Sequence, residues 1–288
     1  MRVLVTGAGG QLGREVVAEL ARRAAARRRG PALEVVAPTR AELDVAQRSA
    51  VLAAIVTLEP DVIVHAAAFT AVDRCEQEVE RALAVNALGT RHVAEAARLV
   101  GAHVCYVSTD YVFDGTKPTP YDEWDEPNPL SVYGRSKLGG ERGLDPSATV
   151  VRTAWVCSAH GTNMVRTLLR LAADEGELRF VDDQRGSPTV AADLAPKLVD
   201  LALERRPGVF HVTNQGETTW YGFARAVLGF LGADPGRVVP ISTAELVPPR
   251  PAPRPANSVL DNAALRLAGD GLLPHWEEST RRLVAALA

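Results

Sequence analysis

The opening of the chain constrains its fold more than any other stretch. Arg2–Thr6 is a short, apolar, β-branched run that stops at Gly7-x-x-Gly10-x-x-Gly13. From Gln11 the period changes, and Leu12, Val16, Val17 and Leu20 fall on one helical face. A strand, a glycine turn and a helix in direct succession predict a dinucleotide site. Glycine permits the tight turn and lets backbone N–H groups approach a diphosphate, while the helix N-terminus adds partial positive charge. The spacing departs from the commonest fingerprint, G-x-G-x-x-G, so the match is partial. An ordinary strand–helix turn is the plain alternative.

The same rhythm continues. Strands are predicted at 34–37, 61–65, 102–107 and 149–156, with a long helix over roughly 79–100 and another from about Ser131. Nearly continuous apolar strands alternating with helices imply a parallel sheet covered on both faces, wound doubly by right-handed crossovers. Beyond residue 157 the rhythm loosens, with helices near 162–174, 190–204, 219–232 and 275–287 and short strands near 178–181 and 209–212. The expected fold is therefore α/β, a doubly wound Rossmann sheet with a smaller α/β C-terminal substrate lobe. Residues 1–155 and about 187–213 are assigned to the first, about 156–186 and 214–288 to the second. Ala21–Gly30 is arginine-heavy and reads as a solvated helix end, and proline-rich 247–256 as an extended connection.

Composition narrows the function. A net charge of −3 argues against a general nucleic-acid binder. No apolar run approaches the roughly 18 residues that span a bilayer, and the glycine-rich start is unlike a signal peptide. Cys75, Cys105 and Cys157 are odd in number and widely spaced. They read as buried thiols in a reducing cytoplasm. The six histidines are scattered without ligand spacing, so no metal site is expected. Asn86, inside the long helical stretch, reads as a residue that hydrogen-bonds across to a neighbouring loop.

Only Lys117, Lys137 and Lys197 among the 32 basic residues are lysines. One of them completes Tyr133-x-x-x-Lys137, whose side chains share a helical face. A tyrosine of ordinary pKa, about 10, is a poor acid–base group at neutral pH. A neighbouring ammonium and a cationic nicotinamide would both lower it. Thr109, at the end of a strand, can share the substrate oxygen. The usual acidic ribose binder after the second strand is missing, and Arg40 stands there, either to accept a 2′-phosphate or as an exposed loop arginine. Asp44 is read as a partner of the adenine amino group, as the N-cap of a helix over 45–57, or as both. Gly7–Gly13, Arg40, Ala66–Thr70, Ser108–Asp110 and Trp155 all lie just beyond strands, where open α/β sheets bind ligands.

The segments VTGAGGQLG, AAAFTAVD, STDYVFDG, YGRSK, RTAWV and DDQRGSPT together resemble the extended short-chain dehydrogenase/reductases, and within them the reductases of 4-keto nucleotide sugars, over nearly the whole chain. The resemblance implies reduction of dTDP-4-dehydro-L-rhamnose to dTDP-L-rhamnose. It implies Thr109, Tyr133 and Lys137 as the catalytic set, and Thr109, Asp110 and Trp155 against the sugar. It further implies Gly10, Gln11, Leu12, Asp44, Val45, Ala68, Phe69, Thr70 and Val107 against the cofactor. Gly7, Gly13, Ala66 and Ala67 complete that wall in our reading. Tyr111 follows Asp110, so the Asp-Glu pair of the related 4,6-dehydratases is absent. Arg40 favours NADPH and leaves NADH open. His65 stands where relatives often carry Asn. The segment RPANS-x-LD resembles the family's substrate lobe, and Arg254 within it is expected to grip a diphosphate, against the alternative of a linker arginine. The expected partner is a dTDP-sugar, with no nucleic acid and no membrane, and a homodimer is compatible with the family. Another nucleotide-sugar reductase or epimerase, or a non-catalytic nucleotide-binding subunit on the same fold, are the competing readings.

Overall fold

The computed structural model describes residues 1–26 and 32–288. The strands are β1 (Arg2–Thr6), β2 (Glu34–Val36), β3 (Val62–His65), β4 (His103–Thr109), β5 (Thr149–Thr153), β6 (Val156–Cys157), β7 (Leu178–Val181), β8 (Arg185–Gly186), β9 (Thr189–Val190), β10 (Gly208–His211), β11 (Thr218–Thr219) and β12 (Val238–Ile241). The helices are α1 (Gln11–Ala26), α2 (Arg48–Leu58), α3 (Val72–Gln77), α4 (Val79–Ala82), α5 (Gly89–Val100), α6 (Val132–Glu141), α7 (Met164–Ala172), α8 (Ala191–Leu203), α9 (Trp220–Phe230), α10 (Ala263–Leu267) and α11 (Trp276–Leu287).

Six strands form one sheet in the order β10-β5-β4-β3-β1-β2, and every neighbouring pair is parallel. Side chains alternate across a strand, so Val3, Val5, Val62 and Val64 meet α1 and α8 on one face. Leu4 and Ile63 meet α2 and α5 on the other. The strand order reverses between β1 and β3, which opens a crevice beyond their C-terminal ends. A separate apolar cluster joins α7, α9 and α11 around Phe223, Leu228 and Trp276. All three cysteines are buried and free. No helix among the described residues is long and apolar enough to cross a membrane.

Several expectations change in detail. The strand predicted over 149–156 breaks after Thr153, because Trp155 takes a left-handed φ of 45°. The chain then resumes as β6, paired with β9. The helix predicted over 79–100 is interrupted by a π-helical segment, Leu83–Leu88, between α4 and α5. The helix predicted from residue 45 begins at Arg48, with Gln47 in the cap position, so Asp44 is not its N-cap. Asp44 instead closes a turn by accepting from Ala46 N at 3.1 Å. Of the arginine-rich Ala21–Gly30, residues 27–30 lie outside the described residues. Within the described part, Arg23 is not left to solvent, since it pairs with Glu19 at 2.6 Å and Asp200 at 2.7 Å.

Candidate active site

The glycine turn shapes one wall of the crevice by close backbone approach. Gly7 has φ 74°, and a Cβ there would come within 2.6 Å of the Ala66 carbonyl carbon. A side chain at that position would therefore drive the ends of β1 and β3 apart. A Cβ on Gly13 would strike the backbone of Gly7, so α1 can leave the turn only with glycine there. Gly10 N donates to Gly7 O at 2.9 Å. No acidic residue occupies the first turn of α1, which leaves its N-terminal partial charge available to an anion.

Two adjoining cavities share this wall. The smaller, about 200 Å³, brings Arg40, Asp44 and Val45 against Gly7, Gly10 and the stretch Ala66, Ala67, Ala68 and Phe69. Arg40 is two-thirds exposed and its Nη2 lies 3.4 Å from Asp44 Oδ2. Arg81 also borders this cavity, with its guanidinium 4.5 Å from the Phe69 ring centroid. Nothing in the sequence spacing marked it, because it comes from a helix rather than from a strand end. The larger cavity, about 440 Å³, gathers Gln11, Leu12 and Gly13 with Thr70, Val107, Thr109, Asp110, Tyr133, Lys137 and Trp155. Trp220 lines it too, although its spacing in the chain gives no sign of this.

α6 delivers the Tyr133–Lys137 pair. Ser131 caps it by accepting from Gly134 N at 3.1 Å, and the small residue at 134 lets the helix press against the Tyr111 carbonyl. The π-helical turn places Asn86 against the same helix. Its Oδ1 accepts from Phe69 N at 2.8 Å, and its Nδ2 donates to Phe69 O at 3.1 Å and to Ser136 Oγ at 2.9 Å. The cross-loop role read for Asn86 is thus filled, and one side chain ties the Ala66–Thr70 loop to α6. His65 accompanies it, held between Thr6 Oγ1 at 2.6 Å and Thr90 Oγ1 at 3.1 Å. Burial pushes the His65 imidazole down to about 3, with Lys137 adding to the effect, so it stays neutral and structural.

The electrostatics differ from the expectation in one respect. Lys137 Nζ donates to Val107 O at 2.7 Å and sits 4.1 Å from the Tyr106 ring centroid. Burial lowers its pKa to about 7, with Glu141 acting in the opposite sense. Burial also pushes the Tyr133 phenol well above its ordinary value, and the adjacent Thr109 hydroxyl pulls the other way. Burial, rather than Lys137, dominates the Tyr133 shift, and the Lys137 ammonium is engaged by the Val107 carbonyl and the Tyr106 ring. Tyr133 is consequently a protonated phenol at neutral pH, the form a proton donor needs.

Thr109 Oγ1 donates to Asp110 Oδ1 at 2.9 Å and accepts from Tyr111 N at 3.2 Å. Asp110 Oδ2 is buried with no protein partner. Burial raises this carboxyl to about 6, against the nearby Ser258 hydroxyl and the Thr109 hydrogen bond. A buried acceptor at the cavity wall needs a donor, and a sugar hydroxyl is chemically suited to be one.

Arg254 is engaged by a carboxylate of the same chain. Its Nη1 and Nη2 lie 2.9 Å and 2.8 Å from the two carboxylate oxygens of Asp73. Its side chain is only 15% exposed. Most of residues 247–256 are exposed, but the Arg254 fork meets an internal carboxylate in the bidentate geometry in which it would meet a diphosphate. Among the described residues no group of three or more His, Cys, Asp and Glu side chains is arranged to hold a metal ion.

The family model described as RmlD substrate binding domain matches residues 1–288. The chain is 44% identical to a dTDP-4-dehydrorhamnose reductase of Sinorhizobium fredii, covering 100% of this chain and 98% of that protein. It is 41% identical to a dTDP-4-keto-6-deoxy-D-glucose reductase of Streptomyces niveus, covering 96% and 93%. Among solved structures, a dTDP-4-dehydrorhamnose reductase of Bacillus anthracis in complex with NADP superimposes with a TM-score of 0.92 at 37% identity, covering 99% of each chain. On sequence, fold and the grouping of Thr109, Tyr133 and Lys137 around one crevice, the chain belongs to the RmlD family of the extended short-chain dehydrogenase/reductases.

Proposed function

We propose that this chain is an NADPH-dependent reductase that converts the 4-keto group of dTDP-4-dehydro-L-rhamnose to the alcohol of dTDP-L-rhamnose. The observation that carries the reading is the convergence of Thr109, Tyr133 and Lys137 on the cavity that borders the glycine turn. The close-packed turn and the acid-free start of α1 suit a dinucleotide diphosphate. Arg40 and Asp44 at the far end suit a phosphorylated ribose and an adenine. We assign residues 1–155 and about 187–213 to the cofactor, and about 156–186 and 214–288 to the sugar nucleotide.

NADPH held against the glycine turn, Arg40 and Asp44 would supply a hydride for the carbonyl carbon. Tyr133 gives its proton to the developing alkoxide, and burial keeps that proton in place until it is needed. Thr109 orients the carbonyl oxygen by hydrogen bonding, and Asp110 accepts from a neighbouring sugar hydroxyl. Lys137, on the same face of α6, supplies the positive charge that stabilises the phenolate once the proton has left. Incubating the protein with dTDP-4-dehydro-L-rhamnose and NADPH should oxidise the nicotinamide, read by its absorbance. No oxidation with this sugar, but turnover of the dTDP-4-keto-6-deoxy-D-glucose isomer, would move the assignment to the other sugar series.

A further inference from the structure

Trp155 is held in an unusual way. Its φ of 45° is left-handed, a conformation that a bulky residue adopts only when its surroundings impose it. One face of its indole lies against Gly186, where a Cβ would come within 2.6 Å of Trp155 Cζ2 and Nε1. The other face is covered by Trp220, whose ring is 3.6 Å away and only 6° from parallel. Trp220 is itself fixed as the first residue of α9. Thr219 caps that helix by accepting from Gly222 N at 3.1 Å and donates to Asp182 Oδ1 at 2.5 Å. Trp220 also meets Phe223 edge-on at 6.3 Å.

From this sandwich we infer that Trp220 is a positioning residue for the sugar, acting through Trp155. With both broad faces occupied, Trp155 has only its ring edge to present to the cavity that both tryptophans line. The edge carries the positive part of the ring quadrupole and the Nε1–H donor, groups that suit the oxygens of a sugar rather than a stacked base. Trp220 keeps the indole flat against Gly186, so that this edge points at one place. The inference rests on the reading that the cavity holds a sugar nucleotide.

The test uses the full-length protein with NADP⁺ present and titrates dTDP and dTDP-L-rhamnose by calorimetry. Trp220→Ala should weaken dTDP-L-rhamnose roughly fivefold to tenfold and leave dTDP within about twofold, the scale of one aromatic contact. Trp220→Phe, which keeps a ring over Trp155, should recover most of the loss. Gly186→Ala, pushing from the opposite face, should share the Trp220→Ala signature. Circular dichroism supplies an activity-independent readout: the wild type should carry a tryptophan exciton couplet that both Trp220→Ala and Trp155→Phe abolish. Equal weakening of dTDP and dTDP-L-rhamnose, no weakening of either, or a couplet that survives in Trp220→Ala would each overturn the inference. A wild type that binds dTDP-L-rhamnose but does not oxidise NADPH with the 4-keto sugar would instead overturn the proposed reaction and leave this inference to the titrations.

Discussion

The glycine-turn end of the cleft is built from backbone, whereas the tryptophan end is built from side chains of distant segments. At the first end, Gly7 and Gly13 allow β1, β3 and α1 to approach so closely that any Cβ would collide. At the second, Trp155 depends on Gly186 behind it and Trp220 in front, 65 residues further along the chain. Tyr133 and Lys137 stand between, on one helix but steered by Asn86 from another. The difference predicts how each end fails. Damage to a backbone turn should cost fold and cofactor together, while damage to a side-chain wall should cost sugar recognition and spare the rest.

The sharpest break is at the shared centre. Tyr133→Phe removes the proposed proton donor and should lower kcat by roughly 10²- to 10⁴-fold, the range for one general acid. NADPH affinity, read by fluorescence titration, should change little. Lys137→Arg should also fail, because a planar guanidinium cannot occupy the compact site between the Val107 carbonyl and the Tyr106 ring.

At the backbone end, Gly7→Ala meets both a positive φ and a steric block. We expect a loss of about 1–3 kcal/mol in denaturant unfolding, with weaker NADPH binding alongside. Intact stability with normal cofactor affinity would show that the turn tolerates a side chain, and the contrast between the two ends would fail.

Arg254→Ala tests a contact that joins the C-terminal segment to α3. It leaves Asp73, whose carboxyl Arg254 holds below its ordinary pKa, without its bidentate partner. Stability should fall by about 1–2 kcal/mol, between the values for exposed and buried pairs. Asp73→Ala should cost a similar amount, and the double variant little more than either. Unchanged thermal stability with weakened dTDP binding would mean that the fork leaves Asp73 for the diphosphate.

The smallest effect is expected at Arg40, which is largely exposed. Arg40→Ala should raise KM for NADPH roughly threefold to fivefold, as for one solvent-screened ion pair, and leave NADH unaffected. Equal changes for both cofactors would make Arg40 a turn residue only.

The two ends also differ in how legible they are in the chain itself. The strand–glycine–helix opening, the strand-end address of Arg40, Ala66–Thr70 and Thr109, and the helical spacing of Tyr133 and Lys137 are local patterns, and local patterns follow from dihedral preferences and side-chain period. The amino-acid sequence by itself therefore determined the parallel sheet, the glycine wall and the strand-end and helical placement of Thr109, Tyr133 and Lys137. Only the tertiary structure decided the sign of the Tyr133 shift, because desolvation depends on everything packed around the ring. It alone placed Asp73 in the Arg254 fork, Arg81 beside Phe69 and Trp220 over Trp155. Each of these joins residues with no shared period in the chain, so nothing in their spacing announces that they meet.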